Sequence, residues 1–385
     1  MTYPHTIQMV DLHGQYLRLK SEIDEAMQSV IDSSAFINGP QVKAFAGQLA
    51  DYLQVPYVIP CGNGTDALQI ALMALGLKPG DEVIVPSFTY IAAVEAVVLL
   101  GLVPVVVDVD ELTYNLNDQL IEEAISPRTK AIIAVHLFGQ CCDMETILQI
   151  ASDHQLYVIE DNAQSMGAIC TFADESTHYA GTMGHIGTIS FFPSKPLACY
   201  GDGGAMITSD PELAERLYKI ANHGQAGKYN HEVVGCNSRL DTLQAAILQV
   251  KLRHLDDFNT RRQLIAQRYN EELIAVEEET EAILLPTVSD YSTHVYHQYT
   301  LQIFDDARDK LKEYLAERHI PSMVYYPLPV HQQKAYKGRM RLTEKEDLYE
   351  AITLCKDVLS IPIHTEMKED EQAYIIEAIK AFYGM

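Results

Sequence analysis

The stretch Ala131-Ile132-Ile133-Ala134-Val135, followed after a helical segment by Tyr157-Val158-Ile159-Glu160, decides the fold class. Each run is short, continuous in apolar character and rich in β-branched residues. Such runs suit parallel strands covered by helices on both faces. The same signature recurs outward along the chain, at Val55–Pro60, Glu82–Pro86 and Val103–Val107 before it, and at Thr188–Phe192 and Ala205–Thr208 after it. Helical spacing of apolar residues covers 14–32 and 40–53, and a helix starts near Gly64 and stops at Gly76 and Pro79-Gly80. Pro127 ends another at Asn117–Ile125. The pattern predicts an α/β fold with a mostly parallel seven-stranded sheet over residues 1–250. Beyond it, a long helical stretch from Arg239 to Val276, a strand at His297–Phe304, a helix at Ala307–Arg318 and a helical tail at 368–384 predict a smaller α+β domain over 251–385.

The chain of 385 residues carries 28 Lys+Arg against 53 Asp+Glu, a net charge of −25. Such a surface repels nucleic-acid backbones and acidic membranes, so neither is an expected partner. An anionic substrate then needs a local basic pocket. The seven cysteines have no CxxC spacing and no companion histidines, which leaves structural zinc and a disulfide framework without a signature and no metal site expected. The N-terminus lacks a basic segment followed by an apolar one, and no apolar run is long enough to span a bilayer. A cytoplasmic protein is the expectation.

Three segments have the residue types that chemistry needs. Asn63-Gly64-Thr65-Asp66 lies between a strand and a helix, where unpaired N–H groups and the helix dipole make a phosphate cradle. A turn with a helix cap is the other reading. Glu160-Asp161 ends an apolar strand, the edge at which open α/β sheets bind ligands; helix capping by Asp161 is the other reading. Lys195 sits in Ser190-Phe191-Phe192-Pro193-Ser194-Lys195-Pro196-Leu197, hemmed by aromatics and prolines and followed by Gly201-Asp202-Gly203-Gly204. An amine in such a pocket loses its proton readily and condenses with carbonyls. Neither GxGxxG nor a GK[ST] phosphate loop is present. Cradle, strand-end acid and lysine are the parts that pyridoxal 5'-phosphate requires: a phosphate seat, a carboxylate for the ring nitrogen, and an amine for the aldehyde.

With NGTDAL (63–68), PSFTYIAAVEAV (86–97), IEDNAQSMGA (159–168), SFFPSKPL (190–197), GCNSRLDTLQAAIL (235–248) and YYPLPVH (325–331), the chain resembles the DegT/DnrJ/EryC1/StrS sugar aminotransferases over nearly its whole length. The resemblance implies the aspartate-aminotransferase-like fold (PLP fold type I) and a homodimer with shared active sites. It implies that Lys195 holds the cofactor and shuttles the substrate proton, that Asp161 pairs with the ring nitrogen and that Gln164 lies near the ring hydroxyl. Tyr90 covers the ring face, and Gly64, Thr65 and Ser190 bind the phosphate. Asn237 reaches the phosphate of the neighbouring subunit; Arg239 approaches substrate across that interface or forms a structural ion pair. Tyr326 and His331 contact sugar or serve packing. Relatives with histidine at the lysine position are dehydratases, so Lys195 favours transamination: L-glutamate as donor and a keto-sugar nucleotide as acceptor, with Lys195, Arg239 and Lys228 as local cations. The wording is nearest to enzymes that aminate C3 of UDP-2-acetamido-2-deoxy-3-oxo-glucuronate for cell-surface polysaccharide (lipopolysaccharide) biosynthesis. The alternatives are a dTDP-3-oxo-6-deoxyhexose 3-aminotransferase and a non-catalytic nucleotide-sugar-binding relative. The segment 171–182, with Asp174, Glu175 and His178, is longer than the usual hairpin and reads as decoration or lid.

Overall fold

A computed structural model describes residues 6–342 and 348–385. Its principal sheet has eight strands, in the order 57–61, 204–208, 186–190, 157–161, 129–135, 82–86, 103–107, 341–342. Seven overlap the runs read from the sequence, though the first begins at Tyr57 rather than Val55, the fifth at Thr129 rather than Ala131, and the run read as Thr188–Phe192 is the strand Ile186–Ser190. The eighth, Arg341–Leu342, is a two-residue parallel addition beside Val105 and Val106. Two residues are too few to leave a periodic signal.

Gly204–Thr208 alone runs against the others, pairing antiparallel with both Tyr57–Cys61 and Ile186–Ser190. Every remaining strand therefore ends on one edge of the sheet. The residues after Cys61, Pro86, Asp161 and Ser190 meet there, at the edge where such sheets carry their ligands. The central strands are buried over most of their length, and Glu82–Pro86 has no exposed position. That explains the unbroken apolar runs, each inward-facing valine or isoleucine contributing about 1.5–3 kcal/mol.

The expected single helix from Arg239 to Val276 is two. Thr242–Leu252 and Leu255–Thr280 are separated at Arg253-His254, and Arg239 lies ahead of the first. Apolar spacing continues through the break, so periodicity alone does not reveal it. Thr242–Leu252 packs against both N-terminal helices, Leu12–Ser33 and Pro40–Leu53. Asp11 caps the first, accepting the Gly14 N–H at 2.8 Å, and Pro40 opens the second.

A second, three-stranded antiparallel sheet, Ile283–Leu284, Tyr299–Ile303 and Val358–Ile361, has its own core, built of residues between Ala266 and Ile379 with Ile7 from the N-terminus. Segments late in the chain return to the large core: Val330, Leu348, Leu354 and Val358 pack with residues of the principal sheet. The seven cysteines are all free thiols, six of them buried. No helix among the described residues is long and apolar enough to cross a membrane.

Candidate active site

Helix Gly64–Ala74 starts at the end of strand Tyr57–Cys61. Asn63 caps it, its side chain accepting the Asp66 N–H at 2.8 Å, which leaves the Gly64 and Thr65 N–H groups pointing out of the first turn. The turn-and-cap reading is met, and the two free N–H groups are those a phosphate cradle would use. A Cβ on Gly64 would lie 2.7 Å from the Ser190 Cβ, so only glycine lets this helix end approach the end of strand Ile186–Ser190. Asp66 and Ser238 add contacts that sequence reading missed. The Ser238 hydroxyl donates to Asp66 Oδ2 at 2.6 Å and accepts the Gly62 N–H at 2.9 Å. The 176 positions between Gly62 and Ser238 carry no local signal of that pairing.

The two strand-end acids separate, as the alternation of a strand demands. Glu160 is fully buried and tied down: His136 Nε2 donates to it at 2.9 Å, and the Gly181 and Met183 N–H groups at 2.8 and 2.6 Å. The Cys142 N–H donates to His136 Nδ1 at 3.1 Å, which fixes the neutral tautomer with its proton on Nε2. Asp161 is different. It is 8% exposed, yet accepts only the Ala163 N–H, on Oδ1 at 3.1 Å, among the described residues, and it has no ion-pair partner there. Burial pushes its pKa up, opposed by that N–H and by the charge of Lys195. A carboxylate so placed fits a cationic group that the chain does not itself provide, such as the protonated ring nitrogen of pyridoxal phosphate.

Lys195 is partly buried in the turn after Phe192, its N–H bonded to the Phe192 carbonyl at 2.8 Å. Burial brings its amine down to about 8, against the pull of Asp161. A fraction of neutral amine near neutral pH is what a carbonyl-capturing lysine needs. Gln164 stands between Asp161 and the late YYPLPVH segment. Its Oε1 accepts the Phe138 N–H at 2.9 Å and its Nε2 donates to the Tyr326 hydroxyl at 3.2 Å. Tyr326 belongs to this cluster more than the sequence indicated: Asp161 acts on its hydroxyl, and its ring centroid lies 5.9 Å from Phe88 and 6.2 Å from Tyr90. Tyr90 keeps 58% of its surface open, so its ring is free to lie over a bound ligand.

The other candidates sit further out. Asn237 is exposed and bridges to Asn222; Arg239 forms no ion pair with any described residue. His331 is partly buried beside Asp108, its Nδ1 unpartnered, in a segment held by the bond from Val330 N–H to the Ser87 carbonyl. His185 lies at the opposite end of the sheet, accepting the Val158 N–H. Cys199 packs in the core. The 171–182 segment folds as a hairpin, Ile169–Thr171 with Thr177–Tyr179, held to helix Met144–His154 through the Ala173 N–H and Glu145.

Comparison with known proteins agrees with this geometry. The chain is 44% identical over 98% of both chains to a "Pleiotropic regulatory protein" of Geobacillus stearothermophilus. It is 45% identical to the UDP-2-acetamido-2-deoxy-3-oxo-D-glucuronate aminotransferase of Pseudomonas aeruginosa, over 93% of this chain and 95% of that one. Streptomyces venezuelae DesV, solved in complex with a ketimine intermediate, superposes with a TM-score of 0.92 at 38% identity, covering 99% of each chain. Since the DegT/DnrJ/EryC1/StrS aminotransferase family also matches residues 17–380, the chain belongs to that family of pyridoxal-phosphate-dependent sugar aminotransferases.

Proposed function

We propose that the protein takes the amino group of L-glutamate and delivers it to C3 of UDP-2-acetamido-2-deoxy-3-oxo-glucuronate, for cell-surface polysaccharide synthesis in the cytoplasm. The 45% identity to the Pseudomonas aeruginosa enzyme named for that substrate carries the reading. When bound, pyridoxal phosphate supplies an aldehyde that receives the amino group and a charged ring that withdraws electrons. The chain supplies the rest. Lys195 Nζ would hold the cofactor's aldehyde carbon and, as a free amine, would take up and return the proton at the substrate carbon. Asp161 keeps the ring nitrogen protonated. Gly64, Thr65 and Ser190 seat the phosphate, Gln164 orients the ring hydroxyl, and Tyr90 covers the ring face. The enzyme works as a homodimer in which Asn237 and Arg239 face the neighbouring site. Arg239 and Lys228 then offset the local charge of a diphosphate substrate on a strongly acidic protein.

Two rival readings have support. Other relatives are named for dTDP-linked 3-amino sugars, and a regulatory name is attached to the Geobacillus relative. The intact Lys195 and Asp161 pair counts against a binder without catalysis. The deciding experiment loads the enzyme with cofactor, converts it with L-glutamate, and adds a panel of 3-keto and 4-keto nucleotide sugars. Return of the original cofactor absorbance with the UDP-3-oxo-glucuronate is expected. A response only to dTDP-3-oxo sugars or to 4-keto sugars overturns the substrate, and no response to glutamate overturns the donor.

A further inference from the structure

The carboxylate of Asp108 gathers four donors from three separate stretches of chain. Asp108 follows strand Val103–Val107 at the ligand edge of the principal sheet and is 5% exposed. Its Oδ1 accepts the Ser87 hydroxyl at 2.7 Å and the Val109 and Ala351 N–H groups at 3.0 Å; its Oδ2 accepts the Glu350 N–H at 2.9 Å. Glu350 and Ala351 stand in the first turn of helix Tyr349–Asp357, and Leu348 ahead of them gives no side-chain cap. Asp108 therefore caps this helix from 242 positions away. The charged groups about it are Asp110, Glu111, Glu350 and His331.

These partners lead to the two ends of one strap. The Ser87 carbonyl accepts the Val330 N–H at 3.0 Å. Helix Tyr349–Asp357 runs directly into strand Val358–Ile361, where Ser360 exchanges both backbone hydrogen bonds with Met323, at 3.0 and 2.8 Å. Between Met323 and Val330 the chain is neither helix nor strand. Its one further hydrogen bond to the rest of the protein, among the described residues, is that from Gln164 Nε2 to the Tyr326 hydroxyl. Pro327 and Pro329 fix the backbone between Tyr326 and Val330, so a shift at Val330 is passed to Tyr326 rather than absorbed.

A helix cap needs only the bonds to Glu350 and Ala351. The Ser87 hydroxyl adds nothing to the helix; it joins the cap to the strand end that holds Val330. We propose that Asp108 is a positioning residue for amino transfer: it locks the two anchors of strap 323–330 to each other and thereby sets the Tyr326 hydroxyl against Gln164. The inference rests on the reading of Gln164 and Tyr326 as part of the cofactor site. Asp108 acts through the strap and not on the reacting atoms.

The test uses the holoenzyme and its half-reaction with L-glutamate, followed in single turnover by the cofactor absorbance. Asp108→Asn keeps an oxygen for Ser87 and Ala351 and turns an NH2 group against the Glu350 N–H. Gln302 Nε2 still ties the second sheet to the same loop, at the Glu111 carbonyl, which supports folding. The rate is expected to fall about fivefold in the native background and by less than about twofold on top of Tyr326→Phe, where the hydroxyl it acts through is gone. No fall, or the same factor in both backgrounds, overturns the proposal, because a purely structural aspartate gives additive effects. Hydrogen exchange read by mass spectrometry is independent of the donor. The Met323 and Val330 amides are expected to exchange at least about tenfold faster in Asp108→Asn, with those of Ala131–Val135 unchanged. Unchanged exchange at both amides, or an equal acceleration at Ala131–Val135, overturns the proposal. A native enzyme that does not react with glutamate overturns only the donor, and exchange then decides alone. Ser87→Ala, which removes one hydroxyl, replaces Asp108→Asn in both measurements if that variant does not fold.

Discussion

The Gln164 Nε2 donates to the Tyr326 hydroxyl at 3.2 Å across 162 positions of sequence, joining the strand-end acid segment to the late YYPLPVH segment. The same glutamine is anchored on its other side by the Phe138 N–H. Its amide is therefore held at both ends, in a fixed orientation beside Asp161. Tyr326→Phe keeps the ring packing against Phe88 and removes one hydrogen bond, a cost of about 1 kcal/mol. We expect a small fall in melting temperature and a roughly tenfold slower reaction of the loaded enzyme with its amino donor. A variant with native single-turnover rates would show that the glutamine needs no such anchor.

The adjacent acids Asp161 and Glu160 should respond in opposite ways. Asp161→Asn can still accept the Ala163 N–H, so folding is retained, while the ring nitrogen loses its charged partner. Transfer is expected to fall by about a hundredfold or more with an unchanged melting curve. Glu160→Gln instead places an NH2 group against N–H donors from Gly181, Met183 and His136. That change should cost about 3 kcal/mol of stability, read by denaturant unfolding. If both variants shift only stability, Asp161 is structural.

Lys195 gives a pH dependence whose sign follows from its environment. Burial lowers its pKa from 10.5 to about 8 in the folded apoprotein. The neutral amine is the form that captures an aldehyde, so the rate of cofactor attachment should rise with pH and level off above about 8. Stability has its own window. A folded-state pKa below the unfolded one means that the unfolded chain binds more protons, so this group penalises the apoprotein fully below about 8, and the penalty fades between about 8 and 10.5. Stopped-flow absorbance and urea melts of apoprotein across that range check both. Lys195→Ala should lose covalent attachment and at least about a hundredfold in transfer rate.

Gly64→Ala tests the phosphate seat. Its new Cβ would sit 2.7 Å from the Ser190 Cβ and 3.3 Å from the Ser190 Cα, a backbone atom that cannot swing aside. The helix end must then retreat from the strand end. Cofactor affinity should weaken by roughly tenfold, about 1.4 kcal/mol, with Lys195 still reactive toward small aldehydes. Equilibrium titration of apoprotein with pyridoxal phosphate measures it, and unchanged affinity would place the phosphate elsewhere.

Much of the fold was legible because a buried parallel strand leaves an unbroken β-branched run. Glu82–Pro86, Val103–Val107 and the run Tyr157–Glu160 all announced themselves that way. The break at Arg253-His254 was not legible, since both helices continue the same apolar spacing. The eighth strand was too short to leave a pattern.

The site divides along the same line. Residue type and local position in the sequence alone singled out Lys195, Asp161 and the Asn63–Thr65 turn as candidates, because a helix start, a strand end and an aromatic-walled turn are local features. Tertiary structure decided which strand-end acid is held by N–H donors and which is left with one, that Tyr326 joins Gln164, and that Ser238 braces the first turn of helix Gly64–Ala74 through Asp66. Those relationships span tens to hundreds of positions, and burial and hydrogen-bond pairing at such separations arise from packing, which no local pattern encodes.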